Sequence, residues 1–121
     1  MDIKSYRDLR VSQSGMDMVM LIYKTSEKFP SKEIYGLTSQ IRRAAVSIPS
    51  NIAEGHTHES TKEYLYHLSI AQASLAEIET QIEIAFRLNY CGQEETSKIL
   101  DHSSSLGKQL YSLRNALQVR K

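Results

Sequence analysis

Tryptophan is absent from this 121-residue chain, cysteine occurs once, proline twice and glycine five times. Each shortage removes a class of structure. The lone Cys91 can close no intrachain disulfide and offers no cysteine pair for a structural zinc site, so a disulfide scaffold is excluded and a reducing, cytoplasmic setting is the expectation. So little glycine and proline leaves few residues for the many tight turns of an all-β fold. No apolar run approaches the roughly 20 residues that span a bilayer. The charged stretch from Met1 to Arg10 also lacks the apolar centre of a signal peptide, so no membrane partner is expected. Charge of one sign is missing as well: 15 Lys and Arg stand against 14 Asp and Glu. Neither half of the chain carries a basic tail or an acidic block. A balanced total is silent about nucleic acid, because a patch on one face can coexist with acidic residues elsewhere.

What is present is helical periodicity. Hydrophobic residues make up 40% and charged residues 24%, the composition of a folded domain, and the length suits one core, so residues 1–121 are read as a single domain. A first helix is expected over 6–28, with Ser5 as its cap and Asp8 in its first turn. Leu9, Met16, Val19, Met20 and Tyr23 form its apolar stripe, widened by Val11, Met18 and Ile22. Gly15 weakens it by about 1 kcal/mol relative to alanine, and marks either a close helix contact or a soft spot. Phe29, Pro30 and Ser31 break the pattern. A second helix is expected over 32–54, with Glu33 in its first turn, Leu37, Ile41, Ala44, Ile48 and Ile52 inward, and Gly55 as its stop. Pro49 lies inside it and predicts a kink, with Ser47 or Ser50 helping to satisfy freed backbone groups, or else a break at Ile48.

Ser60, Thr61, Lys62 and Glu63 spell a capping box that opens a third helix over 61–89, roughly 40 Å long. Its face is Tyr64, Leu68, Ala71, Leu75, Ile78, Ile82 and Ala85, and the small Ser69, Ala71, Ala73, Ser74 and Ala76 let a neighbour approach closely. A fourth helix over 93–118 carries Ile99, Ser103, Leu106, Leu110, Leu113 and Leu117 in a heptad-like alternation. Similar lengths and short links predict an all-α, antiparallel up-down-up-down four-helix bundle.

Catalytic and cofactor patterns are largely missing. A di-iron bundle needs Glu-x-x-His on two helices; Glu63 and His67 are four apart with no second copy, so a solvent-facing pair is the preferred reading and no metal is expected. His56 and His58 stand two apart in a predicted loop, a spacing that can chelate but that usually belongs to an exposed polar loop. Gly36 and Gly55 are isolated, and nothing resembles a nucleophile elbow or a phosphate loop. Cys91, before Gly92, reads as an interior or cap residue. The chain is expected to be no enzyme, with no cofactor and no small-molecule substrate.

The informative feature is a stripe on the second helix, Gln40, Arg43, Ser47, Ser50, Asn51 and Glu54, polar and mostly short where a solvated face usually holds long Lys and Glu. It reads either as a solvated face or as a polar interface in which Arg43, Asn51 and Glu54 pair, with Gln40 and Ser47 beside them. Arg42, Arg43, Lys62 and Arg87 are the candidates for phosphate contact.

Taken together, Phe29-Pro30, Glu33-Ile34-Tyr35-Gly36-Leu37, Gln40-Ile41-Arg42-Arg43-Ala44-Ala45, the run from Ser47 to Gly55 and Ala73-Ser74-Leu75-Ala76-Glu77 resemble a known family. It is the four-helix-bundle proteins encoded in intervening sequences of bacterial 23S ribosomal RNA genes. The resemblance implies an antiparallel bundle that assembles into a barrel-like homopentamer, without enzymatic activity. A related branch serves diversity-generating retroelements as a nucleic-acid-binding accessory protein; that branch is strongly basic, whereas this chain has a formal charge of +1. The expected partners are copies of the chain itself and RNA or DNA. The rival reading is a protein-binding scaffold or adapter with no nucleic-acid role.

Overall fold

The computed structural model describes residues 9–119. Four helices, α1 (Arg10–Ser26), α2 (Leu37–Thr57), α3 (Thr61–Arg87) and α4 (Gln93–Val119), pack as a cycle in which each touches the next and α4 returns to α1. The fold is an all-α four-helix bundle. The short links force successive helices to run antiparallel.

The core is aliphatic, with Met18, Ile22, Ile41, Ile48, Ile52, Leu68, Ile78, Ile82, Ile99, Leu106 and Leu110 all sealed from solvent. Isoleucine is a weaker helix former than leucine, but burying such a side chain contributes about 1.5–3 kcal/mol, several times the propensity deficit. The inward faces expected for α2, α3 and α4 are found, with Leu37, Tyr64 and Leu113 only partly covered.

For α1 the expectation is off by a rotation. Met16, Met20 and Tyr23 are exposed, and the buried side is Val11, Ser14, Gly15, Met18, Ile22 and Thr25. Closeness to neighbours selects this face. A Cβ on Gly15 would lie 3.4 Å from Ile48 Cγ2 and 3.6 Å from the Pro49 Cα, so the glycine marks a helix contact and not a soft spot. Small polar residues tolerate such proximity where methionine would not. Leu9 is extended and precedes α1 as its cap residue, so the helix starts later than expected; Ser5, Tyr6 and Asp8 lie outside the described residues.

The chain between α1 and α2 forms a 3₁₀ turn (Ser31–Glu33), and α2 begins at Leu37, not near residue 32. Glu33 nevertheless serves this helix start. Its Oε1 accepts from the Leu37 amide at 3.0 Å and its Oε2 from the Tyr90 hydroxyl at 2.8 Å, tying α2 to the end of α3. These two bonds, the amide's first, hold the Glu33 carboxyl below its ordinary value. α2 continues unbroken through Pro49, and Ser47 is engaged by Asn51 and Ser74 instead of repairing freed backbone. It also passes through Gly55, which is no stop: a Cβ there would meet Tyr64 Cδ1 at 2.9 Å and His67 Cβ at 3.0 Å. The glycine is present for the approach of α3, and the helix ends two residues later.

α3 opens with half of the capping box, Ser60 Oγ accepting from the Glu63 amide at 3.3 Å. It closes at Arg87 in a Schellman arrangement. Asn89 takes the left-handed conformation (φ 64°), while the Asn89 amide donates to Phe86 O and the Tyr90 amide to Ala85 O. Buried Cys91 then leads to α4, and Lys28 pairs with Glu95 at 2.6 Å, fastening the α1–α2 link to the first turn of α4.

Candidate functional site

The polar stripe of α2 is divided by the packing of α3. Ser47 and Asn51 turn inward and become half-buried, while Gln40, Arg43 and Glu54 remain exposed. A row of hydrogen bonds crosses the seam: Ser74 Oγ donates to Ser47 Oγ at 2.9 Å, and Asn51 Oδ1 meets His67 Nδ1 at 2.9 Å. The asparagine is oriented by its own amide, which donates to the Ser47 carbonyl at 2.8 Å and to Ser47 Oγ at 3.0 Å. With its NH₂ group so used, Asn51 presents an oxygen to the ring, and His67 must donate through Nδ1. Glu54 Oε2 approaches the same nitrogen at 3.3 Å.

These contacts assign part of the stripe to the chain's own α2–α3 seam. Ser47 and Asn51 appear as short polar residues because a neighbouring helix lies over them. Gln40 and Arg43 line a shallow groove with Ser47, Ser74 and Glu77. His67, read from the sequence as facing solvent with Glu63, is 8% exposed and belongs to the seam. The signal that could have located it is Gly55, twelve residues earlier, which admits α3 at that height.

The four cationic candidates do not form one patch. Arg42 and Arg43 are neighbours in sequence and therefore point about 100° apart on a helix of 3.6 residues per turn. Arg42 turns toward α1, its Nε donating to Ser26 Oγ at 2.8 Å and its guanidinium lying 4.6 Å from the centre of the Tyr23 ring. Arg43 turns to the α3 side. Lys62 and Arg87 are exposed near opposite ends of α3, roughly 37 Å apart at 1.5 Å per residue, and Arg87 pairs with Glu83 at 2.8 Å.

A second surface escaped the sequence reading because Met16, Met20 and Tyr23 read there as core residues. Along the outside of α1 and its groove with α2, Met16 is 51% exposed, Met20 67%, Tyr23 41% and Val46 42%. Val19, Pro49 and Ala53 complete the floor of the groove. The groove also takes in Ser12, Gln13 and Ser50, and its exposed apolar stripe from Met16 to Tyr23 spans about two turns of α1.

The other histidine near a serine is held for structure. His102 Nε2 donates to the Ser14 carbonyl at 2.8 Å, with the Ser14 hydroxyl farther off at 3.5 Å, so the ring binds backbone and joins α4 to α1.

Comparison with known proteins agrees with the architecture. A crystal structure of a protein of unknown function from the S23 ribosomal protein family of Bacteroides thetaiotaomicron superposes with a TM-score of 0.79. That match covers 86% of this chain and 97% of the other, at 24% identity, a level that speaks for the fold. No curated protein sequence matches the chain. The family model described as 23S rRNA-intervening sequence protein matches residues 7–112, nearly the whole bundle, and the chain belongs to that family.

Proposed function

We propose that this protein is a non-catalytic, self-assembling bundle whose α1–α2 face is the contact between copies, and that the assembly, not the single chain, binds nucleic acid. The observation that carries the reading is the uncovered apolar surface of Met16, Met20, Tyr23 and Val46. A lone exposed methionine is ordinary, but contiguous apolar side chains along one helix are the mark of an interaction face. A closed ring of five is the assembly the family resemblance implies. Ringing the subunits would repeat Arg43, Lys62 and Arg87 around one body, and many weak phosphate contacts add where three dispersed cations do not. Binding of this kind falls steeply with salt and shows little sequence preference.

Light scattering of the purified chain, alone and with a structured RNA across a salt series, tests both parts. The expected mass is five times 13.8 kDa, with RNA uptake at low salt that is lost as salt rises. Replacing Met16 and Met20 together by glutamate should return the mass to that of a monomer and abolish RNA retention, with helical content unchanged. A wild-type monomer at tens of micromolar, a range where interfaces of ordinary affinity are formed, would remove the assembly. An intact oligomer indifferent to RNA would favour the second reading, a protein-binding scaffold. The near-neutral charge and the dispersal of the cations support that alternative.

A further inference from the structure

We infer that the junction of α2 and α3 is a divalent transition-metal site, of which zinc is the natural occupant, with His58, Glu63 and His67 as its protein ligands. One ligand atom of each residue lies within 4.8 Å of the others, and the His58 and His67 rings stack with centroids 5.3 Å apart. Two imidazoles and a carboxylate are a donor set that zinc accepts, leaving a fourth position for water.

The features around this cluster go beyond proximity. His67 is buried, and its Nδ1 is used by Asn51, itself fixed by two bonds to Ser47. Nδ1 therefore carries the proton, and Nε2 carries the lone pair that a metal requires. A hydrogen bond of this kind on the remote nitrogen is the usual outer-shell support of a metal-binding histidine, fixing tautomer and ring orientation before the ion arrives. Glu54, 3.3 Å from the same Nδ1, adds a carboxylate to that outer shell.

Glu63 makes the second argument. In a complete capping box its carboxylate would return to the Ser60 amide. Here only the Ser60 hydroxyl's half is made, and the carboxylate shares its space with His58 and His67.

Ligands of a tetrahedral zinc stand about 3.4 Å apart at bond lengths near 2.1 Å, and imidazole lone pairs lie in the ring plane. The cluster must therefore contract, and the exposed His58 must turn out of its near-parallel stack on His67, 16° between planes, for both rings to face one ion. His58, the first residue of the three-residue link, and Glu63, in the first turn of α3, are exposed, while His67 is the buried, oriented member. The bound ion would join the end of α2 to the first two turns of α3. This inference is independent of the assembly and nucleic-acid reading, since all three ligands come from one chain.

Calorimetric titration of the full-length, chelator-treated protein with zinc chloride tests it. The expected result is saturable uptake of one zinc per chain, together with a rise in the thermal midpoint that a chelator reverses. His58→Ala and Glu63→Ala should each weaken binding by about tenfold or more, by analogy with the 10–100-fold losses that follow disruption of metal-site residues. His56→Ala, two residues before His58 and outside the cluster, should leave the affinity unchanged. His58 and Glu63 are exposed, so circular dichroism of their variants separates lost binding from lost folding. Absence of saturable uptake by the wild-type chain would overturn the assignment. So would wild-type affinity in folded His58→Ala and Glu63→Ala, which would place any zinc elsewhere.

Discussion

The two seams made by α2 differ in kind. Toward α3 it presents Ser47, Asn51 and Gly55, and the two helices meet through side-chain hydrogen bonds and a glycine that a Cβ would obstruct. Toward α1 it presents Ile48 and Pro49 against Gly15, at ordinary van der Waals distance, and the outer edge of that seam stays open and apolar. The first seam is finished within the chain, while the second ends in a surface of the type that other molecules cover. Ser47 and Asn51 thus mark internal packing, and Met16 and Met20 mark the outside, the reverse of the simplest amphipathic rule at those positions.

The largest effect that would sharpen this comparison is expected at Gly55. Gly55→Leu must push Tyr64 and His67 off α2, and overpacking of this kind costs about 3 kcal/mol; chemical denaturation measures it, and a loss within the noise would show that the α2–α3 approach is not tight. Asn51→Leu comes next. It removes the closer acceptor of the buried His67 Nδ1 and leaves only the Glu54 carboxylate at 3.3 Å, and loss of such a hydrogen bond costs about 1.5 kcal/mol. Unchanged stability in that variant would mean that Glu54 or water takes over the bond that Asn51 makes.

Gly15→Ala tests the opposite seam and should carry the opposite sign. The added methyl meets its neighbours at 3.4 Å or more, so the gain in helix propensity, up to about 1 kcal/mol, should appear as higher stability. Destabilisation by that variant would make the two glycines equivalent and break the contrast.

The smallest expected effect lies away from both seams, at the loop end. Glu33, held below its ordinary pKa by the Leu37 amide and then the Tyr90 hydroxyl, favours the folded state while ionised. A depressed folded-state pKa gives stability that is present above the unfolded value, near 4.3, and lost as the pH falls through the folded value. Glu95 behaves in the same sense, lowered by Lys28 first and then by the Gly92 amide. Glu33→Gln should therefore flatten the acid limb of a pH-stability curve and lower the plateau at neutral pH. An acid limb identical to that of wild type would show that the contacts of Glu33 are made equally in the unfolded chain.

Much of this was legible beforehand, and the failures have one cause. The inward faces of α2, α3 and α4 could be read because each has a single apolar stripe of isoleucine, leucine and alanine at helical spacing. The start of α3 was legible too, since Ser60 and Glu63 are local neighbours and their bond needs no other helix. α1 was not, because it has apolar residues on more than one side, and periodicity cannot choose between two stripes. Local rules make Gly55 a stop, since glycine commonly ends helices; its use here depends on Tyr64 and His67 reaching it from another helix. His67 was placed in solvent for the same reason. The polar stripe of α2 was recognised as unusual, but the partner of Asn51 lies sixteen residues away across a turn.

The sequence by itself determined the class of the protein: four amphipathic helices, short links, no strand-forming pattern and a family motif running from Gln40 to Gly55. These follow from local rules, period and capping, whose terms are residues within a turn or two of each other. Only the tertiary structure decided which side of α1 is buried, that Asn51 fixes the proton on His67, and that His58, Glu63 and His67 come together at one turn. Those outcomes depend on how closely two helix backbones can approach, and that distance is set jointly by residues far apart in the chain.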